Sequence, residues 1–160
     1  MHPFAKRFFP LFAISALTSA GPLSANEADP DHSERPHHLS ILAAGTHIEA
    51  EDETAITLGV DYEYRVSEWL GLGFVAERAF GGIDSTSILA VADIHIWEGL
   101  AVQVGPGVEF VDEEERLIGR FGGLYEFELG KGFTLSPQLH YDLSEDEDAI
   151  VFGIAVGRAF

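Results

Sequence analysis

The side chains of this 160-residue chain that could do chemistry fall at every second position. In the stretch TAITLGVDYEYRV (Thr54 to Val66), Ile56, Leu58, Val60, Tyr62, Tyr64 and Val66 alternate with Ala55, Thr57, Gly59, Asp61, Glu63 and Arg65. Period two is the signature of a strand with two unlike faces. The same split continues to the end of the chain. Its polar side collects Glu77, Asp93, His95, Gln103, Glu109, Arg120, Glu126, Gln138, His140 and Asp142. Nucleophilic catalysis would need a hydroxyl, a base and an orienting group. The candidates are His140 with Asp142 and Ser136, and His95 with Asp93. Ser136 stands four residues from His140 on the same strand face, too far to share a proton directly. A lipid-modifying enzyme would need such a pair on the greasy face, and the pattern offers none there. No catalytic residue is assigned.

A charged core is the second chemistry open to these residues. If the turn Gly130-Lys131-Gly132 pairs Leu129 with Phe133, then Gly122 faces His140 and Arg120 faces Asp142. The hairpin around Asp112–Arg116 then brings Glu109 opposite or diagonal to Arg120, which places one guanidinium between two carboxylates. Such a constellation serves as a gate or proton site, or more simply as a polar core that satisfies its own buried charge. The simpler reading is preferred, because a narrow barrel is filled by its own side chains. Metal binding is the third. Asp112, Glu113, Glu114 and Glu115, with Asp146 and Asp148, could collect divalent cations through carboxylate oxygens. The run Asp142 to Asp148 lacks the glycine and late glutamate of a calcium loop. His32, His37 and His38 match no defined metal spacing.

The elements that must position these residues are eight strands. They span Leu39–Ile48, Thr54–Val66, Trp69–Phe80, Thr86–Trp97, Leu100–Val111, Leu117–Leu129, Phe133–Leu143 and Ala149–Phe160. Most run 10 to 13 residues, which suits a tilted membrane strand of about 9–11 residues better than a soluble strand of about 5–6. Connections alternate in character. Ser67-Glu68, Trp97-Glu98-Gly99 and Gly130-Lys131-Gly132 are tight turns, whereas EAEDE (Glu49–Glu53), DEEER (Asp112–Arg116) and SEDED (Ser144–Asp148) are acidic. An up-and-down meander puts alternate connections at the same end, so one rim is tight and the other acidic, the polarity of a membrane barrel.

Glycines decide which face looks inward. Gly59, Gly71, Gly73, Gly105, Gly107, Gly122, Gly153 and Gly157 share a face with the charges. Small residues belong on the crowded concave side, so the charges are inside and the greasy face meets lipid. Gly119 and Gly123 depart from this pattern, and the register of the first strand stays open. Tyr64, Trp69, Trp97, Phe127, Phe133 and Phe160 would ring the tight-turn end, with Phe80, Phe110 and Tyr141 at the acidic end. Pro106 and Pro137 each remove a ladder donor in mid-strand, and a local bulge is expected at each. Arg78 and Arg158 fall on the greasy face near strand ends, where they can snorkel.

Residues 1–25 read as a secretory signal: His2, Lys6 and Arg7, then the apolar run Phe8 to Ala20, then small residues. Residues 26–38 read as a polar, disordered periplasmic arm, and 39–160 as the barrel. No cysteine is present, so no disulfide or thiolate metal site is available. Removing Lys6 and Arg7 leaves 7 basic residues against 27 acidic ones, a net of −20. That disfavours nucleic acid and favours cations as partners.

The segments LGVDYEYRVSEWLGLGFVAE (58–77), VGPGVEF (104–110) and the terminal VFGIAVGRAF resemble the small eight-stranded outer-membrane β-barrel proteins of Gram-negative bacteria. The resemblance covers about residues 38–160. It implies an all-β, eight-stranded antiparallel up-and-down transmembrane β-barrel in the cell outer membrane, among outer-membrane lipid and lipopolysaccharide. It further implies that Phe160 is the signal read by the barrel assembly machinery, with Arg158 standing where that motif often has an aromatic residue. Members include adhesion and stress-defence barrels and lipid A-modifying enzymes, so the fold does not choose an activity. The expectation is a non-enzymatic barrel without a cofactor, with a closed polar interior, acting in envelope integrity, adhesion or stress defence. The alternatives are a lipopolysaccharide-modifying enzyme and a soluble periplasmic lipocalin-like carrier with the greasy set inside.

Overall fold

A computed structural model describes residues 35–48, 52–82, 84–111, 114–145 and 147–160. The expected signal at 1–25 and most of the 26–38 arm lie outside them, as do Asp112, Glu113 and Asp146. Nine strand segments follow one another: β1 His37–Ile48, β2 Glu53–Ser67, β3 Leu70–Phe80, β4 Ser85–Trp97, β5 Leu100–Val111, β6 Glu114–Tyr125, β7 Phe127–Gly130, β8 Phe133–Ser144 and β9 Ala149–Ala159. All but β6 and β7 pair antiparallel with the next segment, β1 closes on β9, and β6 pairs with β8 just as β7 does. β6 and β7 are thus two halves of one stave, and the protein is a closed eight-stranded antiparallel barrel.

The two faces differ as the alternation demands. Outward residues are apolar and exposed, among them Ile56 (70%), Leu117 (77%) and Ile41 (67%). Inward residues are polar and buried, among them Gln103 (1%), His140 (1%), Arg120 (3%) and Asp93 (3%). An inward apolar patch of Val75, Leu89, Val91 and Ile118 packs tightly between the polar groups. The greasy set that a carrier would need inside faces outward instead. Crowding is visible at Gly59, where a Cβ would meet Glu77 Cγ at 2.8 Å. The girdle residues Tyr64, Trp69, Trp97, Phe127, Phe133 and Phe160 are all exposed at the tight-turn end. Arg78 and Arg158 lie outward near strand ends, their guanidinium groups 6.0 Å from the Phe80 ring and 5.2 Å from the Phe133 ring.

Several boundaries move. β1 starts at His37, two residues before the expected Leu39, and its register is now fixed: Ser40, Leu42, Thr46 and Ile48 are buried while Leu39, Ile41 and Ala43 are exposed. β6 starts at Glu114, so Glu114, Glu115 and Arg116 lie in a strand opposite Val111, Phe110 and Glu109. The acidic letters hid that strand, since a solvated strand end tolerates charge. The prolines are absorbed without bulges. Pairing of β4 with β5 lapses between Leu89↔Gly107 and Ala92↔Val104, across Pro106, and resumes in the same register. Pairing along β6–β7 lapses between Leu124↔Gln138 and Phe127↔Leu135, opposite Pro137, again without a shift. A missing N–H removes the ladder bond there, while on the β5 side Glu126 N–H donates to Gly99 O at 2.6 Å. The irregularities that do shift register, at Arg65/Ser67, His95/Trp97 and Glu128/Gly130, all adjoin tight turns. There Gly99, Gly130, Lys131 and Gly132 adopt positive φ, as tight hairpin turns require.

Candidate functional site

The inward charges form three tiers. In the acidic-rim half, Arg120 Nε and Nη2 donate to Asp142 Oδ1 and Oδ2, each at 2.7 Å. Its Nη1 and Nη2 donate to Glu77 Oε1 and Oε2, also at 2.7 Å. The Asp142 contact runs along the register Arg120↔Asp142, with Gly122↔His140 beside it, as the Gly130–Gly132 turn implies. The second carboxylate is Glu77, reached across the lumen from β3. The expected Glu109 is not the partner: the β5–β6 hairpin is tighter than the letters suggested, so Glu109 faces Arg116 and Gly105 faces Arg120. Glu109 instead lines a small chamber with Glu77, Asp142, Ser85 and Ser87. Its volume of about 20 Å³ is room for about one water.

At the tight-turn end a second guanidinium does the same work. Arg65 Nη2 donates to Glu126 Oε2 at 3.2 Å, and its Nε donates to Glu63 Oε1 at 3.3 Å. His95 Nε2 lies 2.7 Å from Glu63 Oε1, and His38 Nδ1 lies 3.7 Å from Glu126 Oε1. The alternation places Arg65 and Glu126 inside without assigning them a partner. The signal for one was available, because Arg65 and Arg120 are the two arginines among the inward residues of the pattern. His37 and His38 alternate like all strand neighbours. His38 points in, 2.9 Å from Thr134 Oγ1, while His37 points out and stacks on Phe160 at 5.5 Å, so the two cannot share a metal.

Between these tiers lie Asp61 and Asp93. Gln103 Nε2 donates to Asp61 Oδ2 at 3.1 Å and to Asp93 Oδ1 at 3.0 Å. Neither candidate triad assembles. His140 Nε2 meets Gln138 Oε1 at 3.1 Å rather than Ser136 or Asp142, and His95 meets Glu63 rather than Asp93. Both histidines are enclosed in the lumen, away from the outer surface.

At the acidic rim the charges are partly engaged. Arg116 Nη1 donates to Glu147 Oε2 at 3.1 Å, Tyr141 donates to Asp148 Oδ2 at 3.0 Å, and Arg78 Nη2 donates to Asp84 Oδ1 at 2.6 Å. Among the described residues no three His, Asp or Glu side chains converge as a metal site, and Glu114 and Glu115 sit exposed on β6. One contact escaped the pattern. On the outer face near this rim, His47 Nδ1 lies 3.0 Å from Thr54 Oγ1, and His47 Nε2 lies 4.0 Å from Asp52 Oδ1. The two elements joined by that short hairpin were legible, but the open register of β1 concealed that His47 and Thr54 stand side by side.

No family model and no curated protein sequence matches the chain. Solved structures do. The N-terminal β-barrel domain of Pseudomonas aeruginosa OprF superposes with a TM-score of 0.58 at 16% identity, covering 77% of this chain and 97% of that one. This chain has the fold of the small outer-membrane β-barrels. Ail, the attachment invasion locus protein of Yersinia pestis, gives a TM-score of 0.55 at 14% identity over 78% and 97% of the two chains. The outer membrane enzyme PagL gives 0.53 at 14% identity over 76% and 99%. Proteins with catalysis and without it therefore share this barrel.

Proposed function

We propose that this chain is an integral outer-membrane protein that works without catalysis, presenting an acidic rim at the cell surface in envelope integrity, adhesion or stress defence. The observation that carries the reading is the pairing of a continuous exposed apolar outer face with an interior filled by its own ion pairs. The outer face suits lipid and lipopolysaccharide, and the described part of the interior is occupied by paired charged side chains. An N-terminal signal would export the chain, and Phe160 would mark it for the barrel assembly machinery. Ail was also crystallised with the heparin analogue sucrose octasulfate. A polyanion suits this chain poorly, since its rim presents Glu114, Glu115, Glu145 and Asp84; cations and basic surfaces suit it better. A deletion strain tests the reading. Its lipid A mass profile should match the parent while its detergent sensitivity or surface attachment changes. An altered set of lipid A species would overturn it.

The outward His47–Thr54 contact, with Asp52 beyond it, favours one second reading, an enzyme acting at the outer leaflet. It has a hydroxyl within reach of a base at the depth where a lipid headgroup would lie. It lacks burial: Thr54 and Asp52 are both exposed, so water competes at every atom. His47→Ala in an overexpressing strain separates the two readings, because only the enzyme reading ties a lipid A change to His47.

A further inference from the structure

Lys6 and Arg7 aside, the chain has 7 cations against 27 acids. Four of the cations are matched: Arg65 and Arg120 in the lumen, Arg78 with Asp84 and Arg116 with Glu147 at the acidic rim. The other three, Arg35, Lys131 and Arg158, make no ion pair among the described residues, and all three flank one tight turn, Gly130-Lys131-Gly132. Lys131 is the exposed middle of that turn. Arg35 Nη1 lies 3.1 Å from where a Cβ on Gly132 would stand. Arg158 faces Phe133 across the β8–β9 ladder, its guanidinium 5.2 Å from that ring. Glu128, the acid of this hairpin, stands opposite the inward Thr134 and so on the lumen side. In a chain with this excess of acid, three such cations gathered at one turn call for an anion from outside the protein. The exposed girdle residues Phe127, Leu129 and Phe133 border the patch, a setting that suits a bilayer interface and not nucleic acid. Up the same two strands, Leu135 opposite Val156 and Pro137 opposite Ile154 lead into a shallow outer groove that Gly123, Tyr125 and Leu139 also line. Phe133 and Pro137 are four residues apart, about 13 Å of strand. Gly123 is an outward glycine that the barrel's own packing does not require, since a Cβ there would meet only Ala101 O, at 3.6 Å. Its small size keeps the groove open.

We propose that the β7–β8 turn and the outer faces of β8 and β9 bind one anionic phospholipid from the leaflet on the tight-turn side. Its phosphate sits among Arg35, Lys131 and Arg158, and one acyl chain runs past Leu135 and Val156 into the groove over Pro137 and Gly123. The site gives Arg158 a role at the place where the terminal motif of the resembling barrels often has an aromatic residue. The proposal rests on the reading that the outer face meets lipid, and not on what the acidic rim does at the cell surface.

The full chain is folded in neutral detergent micelles and titrated with phosphatidylglycerol or with phosphatidylcholine of the same acyl chains, and bound lipid is counted by native mass spectrometry. Folding into phosphatidylcholine vesicles, read by gel mobility, tests the membrane reading separately from the site. One phosphatidylglycerol should bind about tenfold or more tightly than phosphatidylcholine, at about fivefold per cation beside the headgroup, and salt should narrow the gap. Arg158→Gln changes an exposed side chain and should by itself reduce the preference about fivefold. Adding Arg35→Gln and Lys131→Asn should abolish it; asparagine tolerates the φ of 59° at position 131. Arg78→Gln, on the outer face at the other rim, should leave the preference unchanged. Gly123→Phe fills the groove and should weaken both lipids alike. Glycerol phosphate, which has the charge without the chains, should fail to displace the bound lipid. Equal affinity of the wild type for the two lipids would overturn the site, as would a preference that survives in Arg158→Gln and in the triple variant. Displacement by glycerol phosphate as readily as by phosphatidylglycerol would overturn the lipid as the occupant.

Discussion

Removing Arg120 should be the most damaging single truncation in the barrel. The side chain is 3% exposed and makes four hydrogen bonds of 2.7 Å to two carboxylates. Arg120→Met keeps much of the volume and leaves Glu77 and Asp142 facing each other without their cation. Breaking a buried ion pair from one side costs about 3–5 kcal/mol, chiefly because the surviving charge is left desolvated. Here two charges survive, so the upper part of that range applies. The triple change Arg120→Met, Glu77→Gln, Asp142→Asn removes all three charges and should recover most of the loss, because a buried network replaced as a unit is often neutral. Glu109→Gln removes a third carboxylate from the chamber that Glu77 and Asp142 line, so combined with Arg120→Met it should recover part of the loss, by about 0.5 kcal/mol or more. Urea midpoints in lipid vesicles, read from the gel mobility of folded and unfolded forms, give these values. A loss under about 1 kcal/mol for Arg120→Met would refute the reasoning. So would a triple variant no better than the single one.

Three further outcomes are expected. Val104→Arg puts a charge on the outer face and should cost about 2–4 kcal/mol of stability in vesicles, whereas Gln103→Arg sets a guanidinium beside Asp61 and Asp93 and should fold; the reverse order would mean the faces are misassigned. Phe160→Ala removes the ring stacked on His37 at 5.5 Å and should lower the stability measured in urea by about 0.5–1.5 kcal/mol, while insertion in cells, followed by pulse-chase, should slow far more if the assembly machinery reads that ring. Arg116→Ala breaks a partly buried pair with Glu147 and should cost about 1 kcal/mol or more, well below the loss for Arg120→Met.

The barrel was legible because one face of every strand carries a repeated message. A strand tilted through lipid must put apolar groups at every second position for ten or more residues, and no helix or soluble strand imitates that over eight segments. Boundaries failed where chemistry overrode composition. Glu114 and Glu115 pair with Val111 and Phe110 because a strand end in water tolerates carboxylates. Pro106 and Pro137 cause lapses rather than bulges, because neighbouring strands on both sides hold the register while one bond is skipped.

The interior divides by sequence distance around the barrel. Arg120 and Asp142 are adjacent-strand partners, so counting outward from the Gly130–Gly132 turn finds them. Glu77 is joined to Arg120 across the lumen from β3, and His95 reaches Glu63 over 32 residues. No turn fixes those contacts. They depend on closure, on the tilt that decides which layers meet, and on glycines such as Gly59 that let the walls approach. A hairpin register is a local quantity and can be read from letters. A lumen network is a property of the closed ring, and from the sequence only its stoichiometry is visible: many inward carboxylates and few inward arginines. That imbalance, rather than any motif, is what leaves Asp61 and Asp93 to share the amide of Gln103.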